Sequence, residues 1–534
     1  MVKRAKFIKW LFMVWVLVQI CYLGFLMFGG LNERTEQTAG SRSKTTELYS
    51  LKGTIYDYAL RPITNAQQCY YLLIDPRSFA AGKADYIADL CDCDAEELRT
   101  KLQKESTFIL CSKEKPDQTE GVYVFEGVQR YSDVADHLVG YINSDLDGVA
   151  GLEKSYNSVL SYFGGTKSLR FAIDGRSNPL VGLGLRVEGE DQGYENGVIT
   201  TLDLDIQQAL ETAMDAHIEK GAAVVLDIHS GEIRALVSRP DFDTANIATY
   251  LTSEEGELVN RALRAQTVGS VFKITVAAAA IEKGLDDFTC TCSGNIAVGD
   301  RAFTCPVEGG HGEQDLDSAF AQSCNVYFIS LGQMLGTDTV MEMAERLGFG
   351  ETMEIAQNMY ASGGILPDVT GNSAKQLANL SIGQGDLTAS PLQIARLIAL
   401  CGNGGYLLSP TCFQGFYVDE SIRSEQWLEY SSRVIEEDVA ERLRQLCVGT
   451  VENGTGAGAA PDGSTAGGKT SSAQTGVYDA NGKEVLNTYF AGFFPAQEPQ
   501  YAIAVFAEDG ASGGKTCAPV FKEVCEDILA RKKD

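Results

Sequence analysis

Ser270-Val-Phe-Lys273, Ser323-Cys-Asn325 and Lys469-Thr470-Ser471 follow one another along the chain and hold the residue types of covalent acyl chemistry. Residues three apart on a helix share a face, so Lys273 is placed to take the proton of the Ser270 hydroxyl. A serine activated in this way attacks an acyl carbon and holds the acyl group until a second nucleophile removes it. For Lys273 to act as a base near pH 7, its pKa must fall roughly three units below its ordinary value, about 4 kcal/mol of environmental bias. Burial and the cationic Lys469 are the two sources the sequence offers.

Short patterns recur by chance, and Ser-x-x-Lys also begins at Ser41, Ser112 and Ser512. Context separates the copies. Asn260 to Gly269 leads into the apolar run Val271–Ile281, which has helical character and starts just after a glycine. Ser270 thus stands at a helix start, where the positive end of the dipole favours a developing alkoxide. Gly463-Ser-Thr-Ala-Gly-Gly-Lys-Thr470 matches a phosphate loop by letter, but it follows Ala459-Ala-Pro-Asp-Gly and leads into polar Ser471-Ser-Ala-Gln474 rather than a helix, which argues against nucleotide chemistry. Gly510-Ala-Ser-Gly-Gly514 matches a nucleophile elbow and is read as a turn with no helix after it.

The elements that must carry these groups show in the periodicity. Leu202 to Met214 reads as an amphipathic helix; Gly221–Ile228 and Ile233–Val237 read as a hairpin; Thr488–Phe494 and Tyr501–Phe506 read as two strands around a proline turn. A sheet built from both ends of this region with a helical insert between them is α+β. Upstream, Lys52–Asp57 and Gly121–Phe125 read as strands and Ala80–Leu102 as helix.

The 534 residues suffice for two or more domains, and the formal charge of -28 argues against nucleic acid or anionic headgroups as the main partner. Trp10 to Phe28 is an almost uninterrupted apolar run, about 28 Å long as a helix, which suits one membrane crossing. Lys3, Arg4, Lys6 and Lys9 precede it, placing the N-terminus in the cytoplasm and the remainder outside. Gly29-Gly-Leu-Asn-Glu33 has no small-x-small cleavage site, so an uncleaved anchor is expected.

Of the fourteen cysteines Cys21 lies in the anchor, and the odd number beyond it suggests disulfides with at least one cysteine unpaired or pairing between chains; Cys290, Cys292 and Cys305 could share one bridge, and Cys91-Asp-Cys93 lies in a helical pattern. His137, His217, His229 and His311 are scattered, and no His or Cys spacing resembles a zinc motif; no metal and no cofactor are expected.

With these motifs in order, the chain resembles the class B penicillin-binding proteins. The likeness extends through Lys52-Gly-Thr-Ile-Tyr-Asp57, Val134-Ala-Asp-His-Leu-Val-Gly-Tyr141 and Gly148-Val-Ala-Gly-Leu-Glu153, then Asn260-Arg-Ala262, Gly310-His-Gly312, Ile382-Gly-Gln-Gly385, Ser390-Pro-Leu-Gln393 and Asn403-Gly-Gly405. The resemblance implies a cytoplasmic tail (1–9), a transmembrane helix (10–28), an α+β pedestal (29–195) and a penicillin-binding, serine β-lactamase-like transpeptidase domain (196–534). It implies peptidoglycan stem peptides as substrates, β-lactam antibiotics as inhibitors and a membrane glycan polymerase as partner. A scaffold of weak activity and a β-lactamase or penicillin sensor are the alternatives. Carried over by motif, Ser270 is the nucleophile, Lys273 its base, Ser323 a proton relay and Asn325 an orienting group. Lys469 and Thr470 hold the substrate carboxylate, and the N–H groups of Ser270 and Ser472 form the oxyanion hole. Two departures stand out: Ser471 replaces the usual glycine of the third motif, and Tyr58-Ala-Leu-Arg61 replaces an Arg-Asn-Gly-like turn.

Overall fold

A computed structural model of the chain describes residues 2–28 and 43–531, excepting 105, 131, 174–179, 181–184, 190–192, 245, 369–372, 424–431, 479–481 and 483. The cleavage-site stretch Gly29 to Glu33 lies outside the described residues. Val2–Phe28 form helix α1, on which Trp10, Phe12, Trp15, Leu17 and Ile20 are exposed. Among the described residues no helix is long and apolar enough to cross a membrane.

The chain divides into two compact units. The first takes residues 1–52, 67–130 and 164–194. In it Gln67–Ile74 pairs antiparallel with both Phe108–Ser112 and Val122–Gln129. Helices Ala84–Leu90 and Ala95–Gln103 bury Ile87 and Leu98 against Leu72 and Ile74 of that sheet. The helix expected from Ala80 to Leu102 is therefore two, because Asp92 in the left-handed region (φ 49°) turns the chain between them. Cys91 and Cys93 sit at that turn rather than along a helix face.

The second unit takes residues 53–66, 131–163 and 195–534. Ile55, Leu138, Leu152 and Leu160 share its core with Val198 and Leu202, so segments far apart in the chain interleave. Thr54–Tyr56 pairs parallel with Gly197–Thr200. In the turn after it the Asp57 carboxylate accepts from the backbone N–H groups of Ala59 and Arg61 (2.9 and 2.8 Å) and from Arg61 Nε (2.7 Å). This is how Tyr58-Ala-Leu-Arg61 closes without the usual glycine, Leu60 taking the positive φ of 63°.

The unit's main elements are α2 (Leu204–His217), β1 (Gly221–Asp227), β2 (Ile233–Arg239), α3 (Lys273–Glu282), α4 (Asn325–Leu335), α5 (Pro391–Gly402), β3 (Gly467–Tyr478), β4 (Glu484–Phe494), β5 (Tyr501–Ala507) and α6 (Ala518–Arg531). The five strands form one antiparallel sheet in the order β2-β1-β5-β4-β3. Alternation along β1 sends Ala223 and Val225 to one face, with α2 and α6, and Ala222, Val224 and Leu226 to the other, with α3 and α5. Both faces are covered, which is why β1 and β5 read as continuous apolar runs. Ser390 caps α5 by accepting from the Gln393 N–H (3.2 Å), with Pro391 in its first turn. That accounts for Ser390-Pro-Leu-Gln393.

Candidate active site

Ser270 lies in a single tight turn, Gly269–Phe272, that runs directly into α3. Phe272, Ile274 and the alanines of α3 are fully buried, and this packing fixes the turn's direction. Gly269 has φ 62°, and a Cβ built there would lie 2.4 Å from Ser471 Oγ and 2.9 Å from Ala473 Cβ. Only glycine fits. Its N–H donates to the Gly383 carbonyl (2.9 Å), so the Ile382–Gly385 stretch serves as backbone support for the serine turn. Gln266–Thr267, just before the turn, pairs with Thr388–Ala389.

One turn on from Ser270, Lys273 is fully buried. Its Nζ donates to the Ser323 carbonyl (2.7 Å), Ser323 Oγ (3.2 Å) and Asn325 Oδ1 (2.8 Å). Asn325 is held in turn, its Nδ2 donating to the Thr304 carbonyl (3.0 Å). Ser323 has φ 56°, a costly conformation for a side chain with a Cβ and one that persists only where the surroundings enforce it. Burial pushes Lys273 down to about 7, outweighing the opposite pull of the Cys305 and Cys324 sulfurs.

The third motif is the interior of β3, the edge strand of the sheet. Lys469 is fully buried with Nζ over the Phe320 ring (5.6 Å to its centroid) and donating to the Thr470 carbonyl (3.1 Å). Burial, and then the charge of Lys273, hold Lys469 well below the ordinary lysine range. Of the two sources the sequence offered for a lowered Lys273, burial is the one that acts there, while the repulsion between the two lysines is felt at Lys469. The Thr470 and Thr455 hydroxyls are 2.5 Å apart. Ser471 Oγ donates to the Val268 carbonyl (2.7 Å), two residues before Ser270, so the unusual serine ties the edge strand to the serine turn. Ser472 points the other way and is exposed.

Lys469 and Thr470 inside a strand exclude a phosphate loop, which needs them at a helix start. The Gly510–Gly514 stretch does run into helical turns and α6, contrary to the expectation that no helix follows. Its Gly513 lies against the backbone of Tyr489 and Ser471, where a Cβ would meet the Tyr489 carbonyl at 2.0 Å.

The cysteines differ most from expectation. Among the described residues all fourteen are free thiols, and no bridge joins Cys290, Cys292 and Cys305. Nor is His311 isolated, because Cys292, Cys305, His311 and Cys324 come together with their ligand atoms within 4.8 Å of one another. Sequence reasoning missed this group for want of a short motif; the one signal was Cys324 inside Ser323-Cys-Asn325.

The penicillin binding protein transpeptidase domain model matches residues 221–526. Stage V sporulation protein D of Bacillus subtilis is 28% identical over 438 residues, 77% of this chain and 65% of that protein. Penicillin-binding protein PbpB of Mycolicibacterium smegmatis is 30% identical over 427 residues, 74% of this chain and 64% of its own length. The chain thus spans just under two thirds of these two relatives. Peptidoglycan D,D-transpeptidase PbpA of the same organism is 30% identical over 60% of this chain and 70% of that protein. In fold the chain is like the D,D-transpeptidase domain of a peptidoglycan glycosyltransferase from Eggerthella lenta (TM-score 0.65, 23% identity, 90% of this chain and 99% of that one). It is equally like penicillin-binding protein 3 of Mycobacterium tuberculosis solved with aztreonam (TM-score 0.65, 23% identity, 92% and 97%).

Proposed function

This chain belongs to the penicillin-binding protein transpeptidase family, and from that premise we propose that it is a peptidoglycan D,D-transpeptidase, cross-linking stem peptides through a serine acyl-enzyme and inhibited by β-lactams. The observation that carries the proposal is the fully buried Lys273 amine, one helical turn from Ser270, bonded to Ser323 and Asn325 and biased toward its neutral form.

Ser270 Oγ attacks the carbonyl carbon of the D-alanyl-D-alanine bond while neutral Lys273 takes its proton. The carbonyl oxygen becomes an oxyanion, received by the backbone N–H groups of Ser270 and Ser472, an arrangement typically worth about 3 to 4 kcal/mol. The C–N bond then breaks, and the proton passes from Lys273 through Ser323 Oγ to the departing amine. An acceptor amine then attacks the acyl-enzyme and gives a proton to Lys273, which passes it to Ser270 Oγ as the ester C–O bond breaks, leaving the serine hydroxyl and a neutral lysine. Asn325 keeps Lys273 aimed. The substrate's terminal carboxylate is held by Thr470 Oγ1 and by Lys469, which takes up a proton as the negative charge arrives.

The apolar run from Trp10 to Phe28 and the basic residues before it support a single-pass anchor with the catalytic unit outside the cytoplasm. The family likeness supports the non-catalytic segment within 29–195 as a pedestal and a membrane glycan polymerase as partner.

Intact-mass measurement of the protein after exposure to a penicillin tests the chemistry. One persistent adduct on the parent chain and none on Ser270→Ala is the expected result; an adduct on both, or on neither, defeats the assignment of Ser270.

A further inference from the structure

The four-residue sulfur and imidazole group has no part in the acyl transfer just described, yet it is assembled from four separate places in the fold. Cys292 ends the strand Cys290–Cys292, Cys305 follows the strand Arg301–Thr304, His311 precedes the strand Gly312–Gln314, and Cys324 caps α4. His311 Nδ1 lies 3.3 Å from Cys305 Sγ and 3.6 Å from Cys292 Sγ, while the Cys305 and Cys324 sulfurs are 3.9 Å apart. Tetrahedral zinc, with bonds of about 2.3 Å to sulfur and ~2.0 Å to nitrogen, sets its ligands roughly 3.8 Å apart for sulfur pairs and roughly 3.5 Å for sulfur and nitrogen. The separations here agree within a few tenths of an ångström. A disulfide would need sulfurs at about 2.05 Å.

The surroundings suit a bound ion as well. All three sulfurs are buried, and His311 reaches partly to the surface, leaving a way in. The Asn325 N–H points at Cys305 Sγ (3.3 Å) and the Tyr327 N–H at Cys324 Sγ (3.5 Å), the outer hydrogen bonds that metal thiolates keep. Three sulfurs and one imidazole select a thiophilic ion over magnesium or calcium, and four protein ligands leave no open position for a reacting water.

We infer that Cys292, Cys305, His311 and Cys324 bind one Zn²⁺, and that this ion positions Ser323 and Asn325 against Lys273. Cys324 is the residue between them, Asn325 bonds to Cys305 through its N–H and to Thr304 through its Nδ2, and Ser323 adopts a conformation that its surroundings must enforce. The ion site stands by itself; the positioning role rests on the acyl-transfer function proposed above.

The test uses the full chain, reduced, stripped of metal and reloaded with Co²⁺ or Zn²⁺. With Co²⁺ the parent protein is expected to show the intense d–d bands of a tetrahedral ion and thiolate-to-metal charge-transfer bands, at one ion per chain; Cys292→Ser should lose or shift the latter. A weak octahedral spectrum, or a Cys305–Cys324 disulfide in the untreated protein, overturns the site whether or not the chain reacts with penicillin. Stripping is expected to slow acylation by a fluorescent penicillin at least tenfold, restored by Zn²⁺. A tetrahedral cobalt spectrum with acylation unchanged on stripping refutes the positioning role. A tetrahedral spectrum with no acylation in any form defeats the proposed transpeptidase instead, and the positioning role with it, and leaves the ion in place.

Discussion

Acylation of Ser270 is expected to follow a titration near neutrality that belongs to Lys273. The amine is fully buried, and burial moves it from an ordinary 10.5 to about 7. A shift of that size is about 5 kcal/mol, at roughly 1.36 kcal/mol per unit. If only the neutral amine accepts the Ser270 proton, the reactive fraction is roughly one eleventh at pH 6, one half at pH 7 and ten elevenths at pH 8. The second-order rate constant with a fluorescent penicillin should therefore rise about tenfold from pH 6 to 8 and then flatten. A lysine titrating at its ordinary value would give about a hundredfold over the same interval and keep climbing beyond pH 9. Circular dichroism at each pH confirms that the fold is intact. A rate still rising tenfold per unit through pH 9, in folded protein, would refute the assignment. Stability carries the same signature. Between 10.5 and about 7 the unfolded chain holds a proton at Lys273 that the folded chain does not, so stability should fall as pH drops through that window and level off below it.

Asn325→Asp puts a carboxylate where Oδ1 now accepts from Lys273 Nζ at 2.8 Å, which favours the ammonium; the limb of the pH profile should move upward by a unit or more, and an unmoved limb would remove Asn325 from the neighbourhood of the base. Ser471→Ala deletes the donor to the Val268 carbonyl and leaves that oxygen buried without it, so denaturant unfolding should show a loss of about 1 to 3 kcal/mol together with slower acylation. Unchanged stability would mean that the hydroxyl does not brace the serine turn. Gly269→Ala meets Ser471 Oγ at 2.4 Å and requires a φ of 62°; acylation should drop by more than about a hundredfold even in the folded fraction, and near-parental rates would show that the turn tolerates displacement.

What the chain reveals by itself is what neighbouring residues encode. The helical offset of Ser270 and Lys273, the strands β1, β4 and β5, the hairpin between β1 and β2 and the helix α2 depend on period and on local breakers, and each appears in the fold where the pattern places it. The glycines and the serine cap around the site were visible as Ile382–Gly385 and Ser390-Pro391, though not their tasks. Where local pattern was pressed further it failed: Asp92 splits one expected helix into two, and α6 follows a stretch read as a terminal turn.

Only tertiary structure decided the rest, because it depends on distances between residues many positions apart and on removal from water. Packing of α3 against α4 sets Lys273 among Ser323 and Asn325, and desolvation there, rather than the charge of Lys469, brings the amine toward neutrality. The hydroxyl that distinguishes Ser471 found its partner in Val268, some two hundred residues earlier in the chain. Cys292, Cys305, His311 and Cys324 are unremarkable letters in sequence and become a ligand set only when two small hairpins and a helix start close around one point.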